Sequence, residues 1–323
     1  MGIHILNIGI DLEIFETIEK DRITLYQMIG KTKIRSSHSA AFLEVLINLK
    51  LIGIDKNDFL KISSSARRYL IKNSPESIIP YIKWKLHTMT FWEKSIDVLK
   101  GNMSTIYGES LYEYLKTKPD QYKLFHKALE VVERPYITKV PAMIEPFIPK
   151  NKKLTLLDIG CGSALPSILV MEKFKNINAF LVDLNLEAAS ENIIKYGLSH
   201  RAELVKKDFF SDQLPQADIV FFSFVLSDWD DREIHCILKK ISSYLNNEGM
   251  LFLIDYLTRF PHDPLQSALL NFLLSVETKG AIKTIPQWDH LLGDFFENTR
   301  NIPISEDVCL IYAEKREEGG YEQ

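Results

Sequence analysis

Apolar positions recur with two different periods along the chain. From Ile3 to Ile18 apolar residues lie at helical spacing, and helical patterns continue to about residue 150. Beyond that point, short apolar runs such as 154–157 and 217–222 alternate with helical segments, which is typical of a mostly parallel sheet flanked by helices. Two prolines and a basic polar run within residues 145–153 separate the two halves. The pattern therefore predicts an α/β half that follows a helical half.

Six apolar runs predict the strands of the second half. Five of these strands are predicted to begin at Leu154, Phe180, Ala202, Ala217 and Met250, and the last one covers residues 308–313. Residues 259–264 form a predicted loop, because they contain two prolines. An apolar helix is predicted over residues 265–276, and another helix begins at Ile285.

The first half contains a winged-helix pattern. Helices centred on residues 25–29 and 39–49 precede two short runs, 51–55 and 59–63, that predict a hairpin. In DNA-binding proteins of this pattern the second helix enters the major groove. No lysine or arginine lies within residues 36–49, whereas phosphate contacts need several cations. The pattern therefore favours a dimerisation module, which would also give the apolar stripe near the N-terminus a partner.

Two glycines follow the first strand of the second half, in Asp158-Ile-Gly160-Cys-Gly162. An apolar run that meets two glycines and passes into a helix is a strand, a tight turn and a helix N-terminus. A dinucleotide fingerprint needs a third glycine, whereas Ala164 follows here and Asp158 puts negative charge at the turn, which suits a cation. Asp183 ends the next strand about twenty residues later, where a carboxylate can accept both hydrogens of a ribose diol. A ribose ligand with a cationic head and no phosphates indicates S-adenosylmethionine.

Further motifs disfavour the alternative of an ordinary strand-to-helix turn. Asp208 and Phe209 end the third strand, where they can accept from an adenine amine and pack against its ring. With these motifs the chain resembles the class I S-adenosylmethionine-dependent methyltransferases, and among them the small-molecule O-methyltransferases with an N-terminal winged-helix dimerisation domain. The resemblance covers nearly all of the chain and is strongest over residues 158–162, 207–210 and 226–231. It implies a Rossmann-like, seven-stranded, mostly parallel sheet preceded by an all-helical winged-helix domain that forms a homodimer.

The resemblance also implies a set of site residues and no metal. The cofactor residues that it implies are Asp158, Gly160, Gly162, Asp183, Leu184, Asp208, Phe209 and Ser223, the last in place of a lysine. The residues that it implies for a small-molecule acceptor are Phe125, His126, Trp229, Asn271 and Phe272. His126 has an alternative interpretation, an ordinary surface or hydrogen-bonded histidine.

The catalytic positions depart from those of the relatives. The family has a histidine, the general base for a phenolic acceptor, where this chain has Ser227. One of the two acids that orient this histidine is kept as Asp255, and the other is replaced by Ile282. Deprotonating a phenol at pH 7 costs on the order of 4 kcal/mol, and a serine hydroxyl is no base at that pH. The candidate catalytic residues are therefore Ser227, Asp228, Asp255 and His126, with His126 as a candidate base.

The sequence leaves three functions open. The first is methyl transfer from S-adenosylmethionine to an O, C or N atom of a small acceptor, aromatic or similar to a keto acid, in secondary metabolism. The second is a methyltransferase fold that binds the cofactor and catalyses a reaction without methyl transfer, such as a cyclisation. The third is a winged-helix regulator whose α/β domain senses a ligand. The cofactor residues favour the first two over the third.

Composition and charge agree with a globular enzyme. The 323 residues are 46% hydrophobic and 25% charged, and the net charge of −4 argues against a nucleic-acid partner. No apolar run approaches the ~20 residues of a membrane span, and the acidic N-terminus does not resemble a signal peptide, which predicts a cytoplasmic protein. The three cysteines are widely spaced and fit neither a disulfide framework nor a zinc site. The predicted organisation is a winged-helix domain (1–80), a helical linker and pocket roof (81–150), the methyltransferase domain (151–316) and a mobile tail (317–323).

Overall fold

A computed structural model describes residues 2–32, 34–260 and 262–316. The chain divides into two compact units. One extends to Thr90 and includes Lys127–Val132, and the other comprises Phe91–His126 and continues from Glu133. The boundaries that the sequence predicts at residues 80 and 150 stay predictions, and the predicted tail, 317–323, lies outside the described residues.

The first unit combines helices with one hairpin. Its helices are α1 (Gly2–Asp11), α2 (Ile14–Lys20), α3 (Leu25–Lys31), α4 (Ser36–Asn48), α5 (Ser64–Tyr69) and α6 (Ile79–Met89). Strands β1 (Ile52–Ile54) and β2 (Leu60–Ile62) pair antiparallel, as the sequence predicts for the hairpin. The unit is therefore not all-helical, which corrects that part of the expectation. Ile14, Phe15 and Leu43 are fully buried in its core.

The apolar stripe near the N-terminus is not one continuous helix. Glu13 adopts a left-handed conformation (φ 51°), which ends α1 and lets α2 begin at the next residue. Ile14 and Phe15 are the first two residues of α2, and both are fully buried. The apolar residues that the sequence places at helical spacing over residues 3–18 are therefore divided between two helices.

The second unit contains a seven-stranded sheet, as the family resemblance implies. Its strands are β3 (Leu154–Ile159), β4 (Ile177–Asp183), β5 (Ala202–Lys206), β6 (Ala217–Ser223), β7 (Leu245–Tyr256), β8 (Phe296–Pro303) and β9 (Val308–Lys315). Their order across the sheet is β5-β4-β3-β6-β7-β9-β8. The first five strands in this order are parallel, and β9 pairs antiparallel with both β7 and β8. The apolar pattern did not predict β8, because most of its residues are exposed.

Helices cover both faces of this sheet. The remaining helices are α7 (Ser95–Leu99), α8 (Leu111–Lys116), α9 (Pro119–Ile137), α10 (Val140–Ile144), α11 (Leu165–Lys173), α12 (Glu187–Lys195), α13 (Asp231–Tyr244), α14 (Leu265–Glu277) and α15 (Ile285–Leu292). Neighbouring strand residues belong to different apolar clusters, such as Leu156 to one and Leu157 to the other. Because both faces are buried, the parallel strands read as continuous apolar runs.

The strand order determines where the site lies. From β3 the chain builds β4 and β5 on one side and returns to β6 on the other, so the order reverses between β3 and β6. In such sheets ligands bind at the carboxyl ends of the strands on either side of this reversal. The glycine turn follows β3, Asp183 ends β4 and Ser223 ends β6. No helix among the described residues is long and apolar enough to cross a membrane.

Candidate active site

The glycine turn after β3 needs both of its glycines. Gly160 and Gly162 have positive φ angles, 66° and 53°, which L-residues rarely adopt. A Cβ atom on Gly162 would lie 2.8 Å from Nδ1 of His126, and one on Gly160 would lie 3.0 Å from a methyl group of Val225. The turn is therefore held between α9 and the segment after β6, with no room for side chains.

Asp183 is the polar centre of this turn. Its side chain is buried, and its Oδ2 accepts a hydrogen bond from the Gly162 N–H at 2.9 Å. Its Oδ1 accepts from the Tyr122 hydroxyl at 2.8 Å and from the Asn185 N–H at 3.2 Å. These donors fix the orientation of the carboxylate that the sequence assigns to the ribose.

Asp158 carries less charge than its position in the sequence suggests. Burial raises the pKa of its carboxyl to about 7, and the nearby charge of Asp183 adds to the effect. The Ser167 hydroxyl donates to Oδ2 at 2.6 Å and opposes the rise. At pH 7 the carboxyl of Asp158 is therefore only partly ionised, and the expected negative charge at the turn is only partly present. A cation bound nearby would favour the ionised form of this carboxyl.

His126 is buried against the glycine turn, which excludes the surface-histidine interpretation. Its ring centroid lies 4.7 Å from that of Tyr122 and 5.3 Å from that of Phe125. Burial lowers the pKa of the imidazole, although the Asp183 charge acts in the opposite direction. Its Nε2 is buried and has no hydrogen-bond partner among the described residues. His126 is therefore a neutral histidine at pH 7 with an unused polar atom.

The residues around the turn fit the predicted cofactor. Besides Nε2 of His126, the buried Oγ of Ser223 has no hydrogen-bond partner in the described part of the chain. Buried polar atoms are usually paired, so these two atoms suit a polar ligand. Asp183 offers a carboxylate to hydroxyl groups, and the partly ionised Asp158 suits a positive charge.

Ser227 and Asp228 lie on a short 3₁₀ turn, Leu226–Asp228, after β6. The turn follows Phe224, whose φ of 55° is a strained conformation for a large residue. Asp255 at the end of β7 holds the turn, because its Oδ2 accepts from the Ser227 N–H at 3.0 Å. Its Oδ1 accepts from the Tyr256 N–H at 2.8 Å. Asp255 therefore holds two backbone N–H groups in place, although this chain has Ser227 where the family has the histidine that such an acid orients.

The Asp228 carboxyl is poised near neutral pH. Burial raises its pKa to about 7, the charges of Asp255 and Glu277 contribute, and a hydrogen bond from Tyr112 opposes the rise. The Tyr112 hydroxyl donates to Oδ2 of Asp228. Burial also raises the pKa of Asp255, to about 6. Hydrogen bonds from Ser227 and from the Tyr256 N–H, together with the nearby charge of Lys283, lower this pKa and oppose the rise. Two partly ionised carboxyls thus lie beside Ser227.

Aromatic rings connect the predicted cofactor and acceptor residues. Trp229 stacks on Tyr112 with ring centroids 5.4 Å apart and meets Phe209 edge-on at 6.1 Å. Phe125 contacts Tyr112 edge-on at 6.4 Å. The indole N–H of Trp229 is buried without a partner among the described residues. This wall offers flat apolar surface and one hydrogen-bond donor.

Four predicted residues lie outside these contacts. Asp208 is in the loop after β5, because the strand already ends at Lys206, and its Oδ1 accepts from the Phe210 N–H at 2.8 Å. Leu184 directly follows Asp183 and is half-buried. The side-chain oxygen Oδ1 of Asn271 accepts a hydrogen bond from the Ile282 N–H at 2.9 Å. Phe272 remains 37% exposed and packs on Trp92 at 5.9 Å.

A sequence profile of the O-methyltransferase domain matches residues 93–295, well over half of the chain. The chain belongs to the O-methyltransferase domain family. This membership confirms the predicted class of enzyme, an S-adenosylmethionine-dependent methyltransferase, and its cofactor.

Individual relatives are distant. The chain is 25% identical to 3'-hydroxy-N-methyl-(S)-coclaurine 4'-O-methyltransferase 2 of Papaver somniferum, over 89% of this chain and 84% of that protein. It is 27% identical to the mitomycin biosynthesis 6-O-methyltransferase of Streptomyces lavendulae, over 64% of this chain and 56% of that protein. The solved structure of human N-acetylserotonin methyltransferase in complex with S-adenosylmethionine superposes with a TM-score of 0.85 at 19% identity, covering 98% of this chain and 94% of that one. This likeness confirms the fold.

The sequence does not single out four side chains that lie at this candidate site. Tyr112 and Tyr122 were only two of many aromatic residues before residue 150. Glu277 is buried at the end of the apolar helix α14, and its position as an acid closing an apolar helix was the available signal. Lys283 is buried beside Asp231, with Nζ 3.2 Å from Oδ1. It follows Ile282, the position where the family has an acid.

Proposed function

We propose that the enzyme transfers the methyl group of S-adenosylmethionine to a hydroxyl oxygen of a small aromatic molecule. The observation that carries this proposal is the carboxyl of Asp228, which has a pKa of about 7 and lies beside the aromatic wall of Tyr112 and Trp229. Such a wall suits a flat ring, and the carboxyl suits a hydroxyl that must lose its proton. The relatives named above are O-methyltransferases of small molecules, which supports this class of acceptor.

Each part of the cofactor has a matching residue in this proposal. When bound, the cofactor supplies an electrophilic methyl group on a sulfonium. Asp183 accepts from the ribose hydroxyls, Asp158 favours the positive charge, and Phe209 packs against the adenine. Ser223 provides a polar atom that has no partner among the described residues, and His126 packs against the glycine turn. The main task left for the chain is to align the acceptor with the methyl group.

Asp228 is the general base in this proposal, rather than His126. Its Oδ2 is engaged by Tyr112, so Oδ1 is the oxygen that takes the proton of the acceptor. An ordinary aspartate would remove a proton from a phenol at a cost of about 8 kcal/mol, and a pKa near 7 reduces this cost to about 4 kcal/mol. His126 packs on the glycine turn and has a lowered pKa, which supports a cofactor role. Ser227 orients the acceptor by a hydrogen bond.

One other function has an observation in its favour. Ser227 replaces the family's histidine, which favours a reaction that binds the cofactor without transferring its methyl group, such as a cyclisation. An amine or an enolisable carbon, which the sequence also leaves open as methyl acceptors, would belong to methyl transfer and would need no base for a phenol. No observation in the structure favours the third hypothesis, a ligand-sensing regulator.

The test is turnover with a library of small hydroxylated aromatic molecules and S-adenosylmethionine. Mass spectrometry would measure the methylated product and S-adenosylhomocysteine together, and the expected result is their formation in equal amounts. Asp183→Ala, which should bind the cofactor more weakly, serves as the control and should form less of both products. A changed acceptor without S-adenosylhomocysteine would support the second function and contradict methyl transfer.

We further propose that the enzyme is a cytoplasmic homodimer assembled through its first unit. Eight large apolar residues of this unit are exposed, namely Ile8, Tyr26, Ile34, Val45, Leu49, Ile54, Tyr69 and Met89. Exposed apolar surface of this kind favours a partner, and a second copy of the chain is the proposed one. The cytoplasmic location rests on the sequence alone, and no nucleic-acid or membrane partner is proposed.

A further inference from the structure

The Asp183 carboxylate has almost no capacity left for a ligand. A carboxylate accepts about four hydrogen bonds through its two oxygens. Three are already made, by the Gly162 N–H, the Asn185 N–H and the Tyr122 hydroxyl. A ribose diol brings two donors, but only about one position remains.

We propose that Tyr122 is a placeholder for the ribose, whose hydroxyl leaves Asp183 when the cofactor binds. This inference rests on the proposed role of Asp183 and extends it, because it makes Tyr122 a residue that sets cofactor affinity. In the absence of ligand the tyrosine keeps the buried carboxylate hydrogen-bonded. Binding then exchanges one charge-assisted hydrogen bond for another, so the ribose contributes less net affinity than its contacts suggest.

Tyr122 is the donor that can leave. The other two donors are backbone N–H groups, and that of Gly162 lies in a turn fixed by a positive φ and by packing against His126. The backbone at the start of α9 is itself anchored, because Nζ of Lys123 lies 2.6 Å from carboxylate oxygens of both Glu187 and Glu191 on α12. The exchange therefore needs only a rotation of the tyrosine side chain.

The neighbouring ring of His126 can receive the released hydroxyl. The two ring centroids are 4.7 Å apart, and Nε2 of His126 is a buried polar atom without a partner in the described part of the chain. The hydroxyl would otherwise be left buried and unpaired, which is unfavourable. The tyrosine and histidine, one helical turn apart on α9, thus form a pair that can change partners together.

The proposal predicts that Tyr122→Phe binds ribose-containing ligands more tightly than the wild type. The ligand then finds Asp183 with two free positions, and the expected gain is about tenfold in Kd, equivalent to about 1.4 kcal/mol. Calorimetry with S-adenosylhomocysteine measures this gain without turnover. Its 2′-deoxy and 3′-deoxy analogues, each with one hydroxyl fewer, need only one position and should gain little. Tyr244→Phe, a half-buried tyrosine on α13, is the matched control and should leave every Kd unchanged.

A second measurement is the thermal unfolding of the ligand-free proteins. Tyr122→Phe should unfold at a lower temperature than the wild type and show the larger upward shift with S-adenosylhomocysteine, because the Asp183 carboxylate has two hydrogen bonds instead of three until the ligand binds. An unchanged or weaker affinity of Tyr122→Phe would overturn the inference. If Asp183→Asn also loses binding in that case, the proposed cofactor site stands and only the role of Tyr122 fails. Absence of binding to every form would overturn both.

Discussion

Gly280 lies where any side chain would meet the turn that contains Ser227 and Asp228. It follows α14, and its N–H donates to the Thr278 hydroxyl at 3.1 Å. A Cβ atom at this position would lie 1.9 Å from the carbonyl oxygen of Ser227, and 2.5 and 2.7 Å from the C and Cα atoms of Asp228. Real Cβ atoms essentially never show contacts under 3.0 Å. Gly280→Ala therefore forces the two segments apart by about 1 Å, because all three atoms belong to the backbone.

The expected damage affects both stability and rate. Overpacking typically lowers the free energy of unfolding by about 1–3 kcal/mol. For Gly280→Ala we expect a loss of about 3 kcal/mol, because the clash is between two backbone segments. For a unit of this size that corresponds to a fall in Tm of roughly 6 to 12 °C. A displacement of about 1 Å at Ser227 and Asp228 should also lower kcat about a hundredfold.

Thermal unfolding and initial rates with an accepted hydroxylated substrate measure the two effects. Gly30→Ala is the matched control, since Gly30 lies in helix α3 and a Cβ there would meet no atom within 4 Å. The same change at Gly30 should leave the rate alone and raise stability by about 0.4–1 kcal/mol. If Gly280→Ala kept both the Tm and kcat of the wild type, the close approach of the two segments would be refuted.

The other predictions concern the cofactor, the base and assembly. Asp183→Ala should weaken S-adenosylmethionine binding by about 2 kcal/mol or more in calorimetry, and an unchanged affinity would contradict the ribose assignment. Asp228→Asn should lower kcat by about a hundredfold or more, against about fivefold for Ser227→Ala. Because the base must be ionised, the wild-type rate should rise with pH through about 7. A midpoint below 6.5 that disappears in His126→Ala would assign the base to His126 instead. Removal of residues 1–20 should give monomer or aggregate in sedimentation, whereas a stable full-length monomer would argue against the proposed dimer.

The sequence predicts the parts of the site that local backbone chemistry determines. Two glycines after an apolar run define a turn with positive φ, and an acid at the end of the next strand lies at the same edge of the sheet. Asp183 and Gly162 are 21 residues apart in the chain and are joined by one hydrogen bond. The buried strands were predictable for the same reason, because burial of both faces leaves a continuous apolar run.

The partners of these acids were not predictable, because tertiary packing chooses them. Tyr112 reaches Asp228 across 116 residues, and Tyr122 reaches Asp183 across 61 residues. Neither tyrosine belongs to a motif, and the aromatic residues around them form ordinary core contacts, such as the stack of Tyr107 on Tyr114 at 4.7 Å. The shift of Asp228 to a pKa near 7 depends first on burial, which no spacing of residues encodes.

The family has an acid at two positions that orient its histidine, and this chain keeps one as Asp255 and has Ile282 at the other. The other contacts of each position explain this difference. Asp255 is kept without that histidine because both of its oxygens accept backbone N–H groups, one of them from Ser227 itself. Removing it would leave the N–H groups of a buried, strained turn unpaired, at about 1–3 kcal/mol for each group. The other acid has become Ile282, a buried apolar side chain held by its own N–H on Asn271. An acid there would add a further negative charge to the surroundings that already raise the pKa of Asp228. In the proposed function, the absence of the histidine removes the need for the second acid and leaves the first one with a structural function, while Asp228 is the acid whose protonation state matters to the reaction.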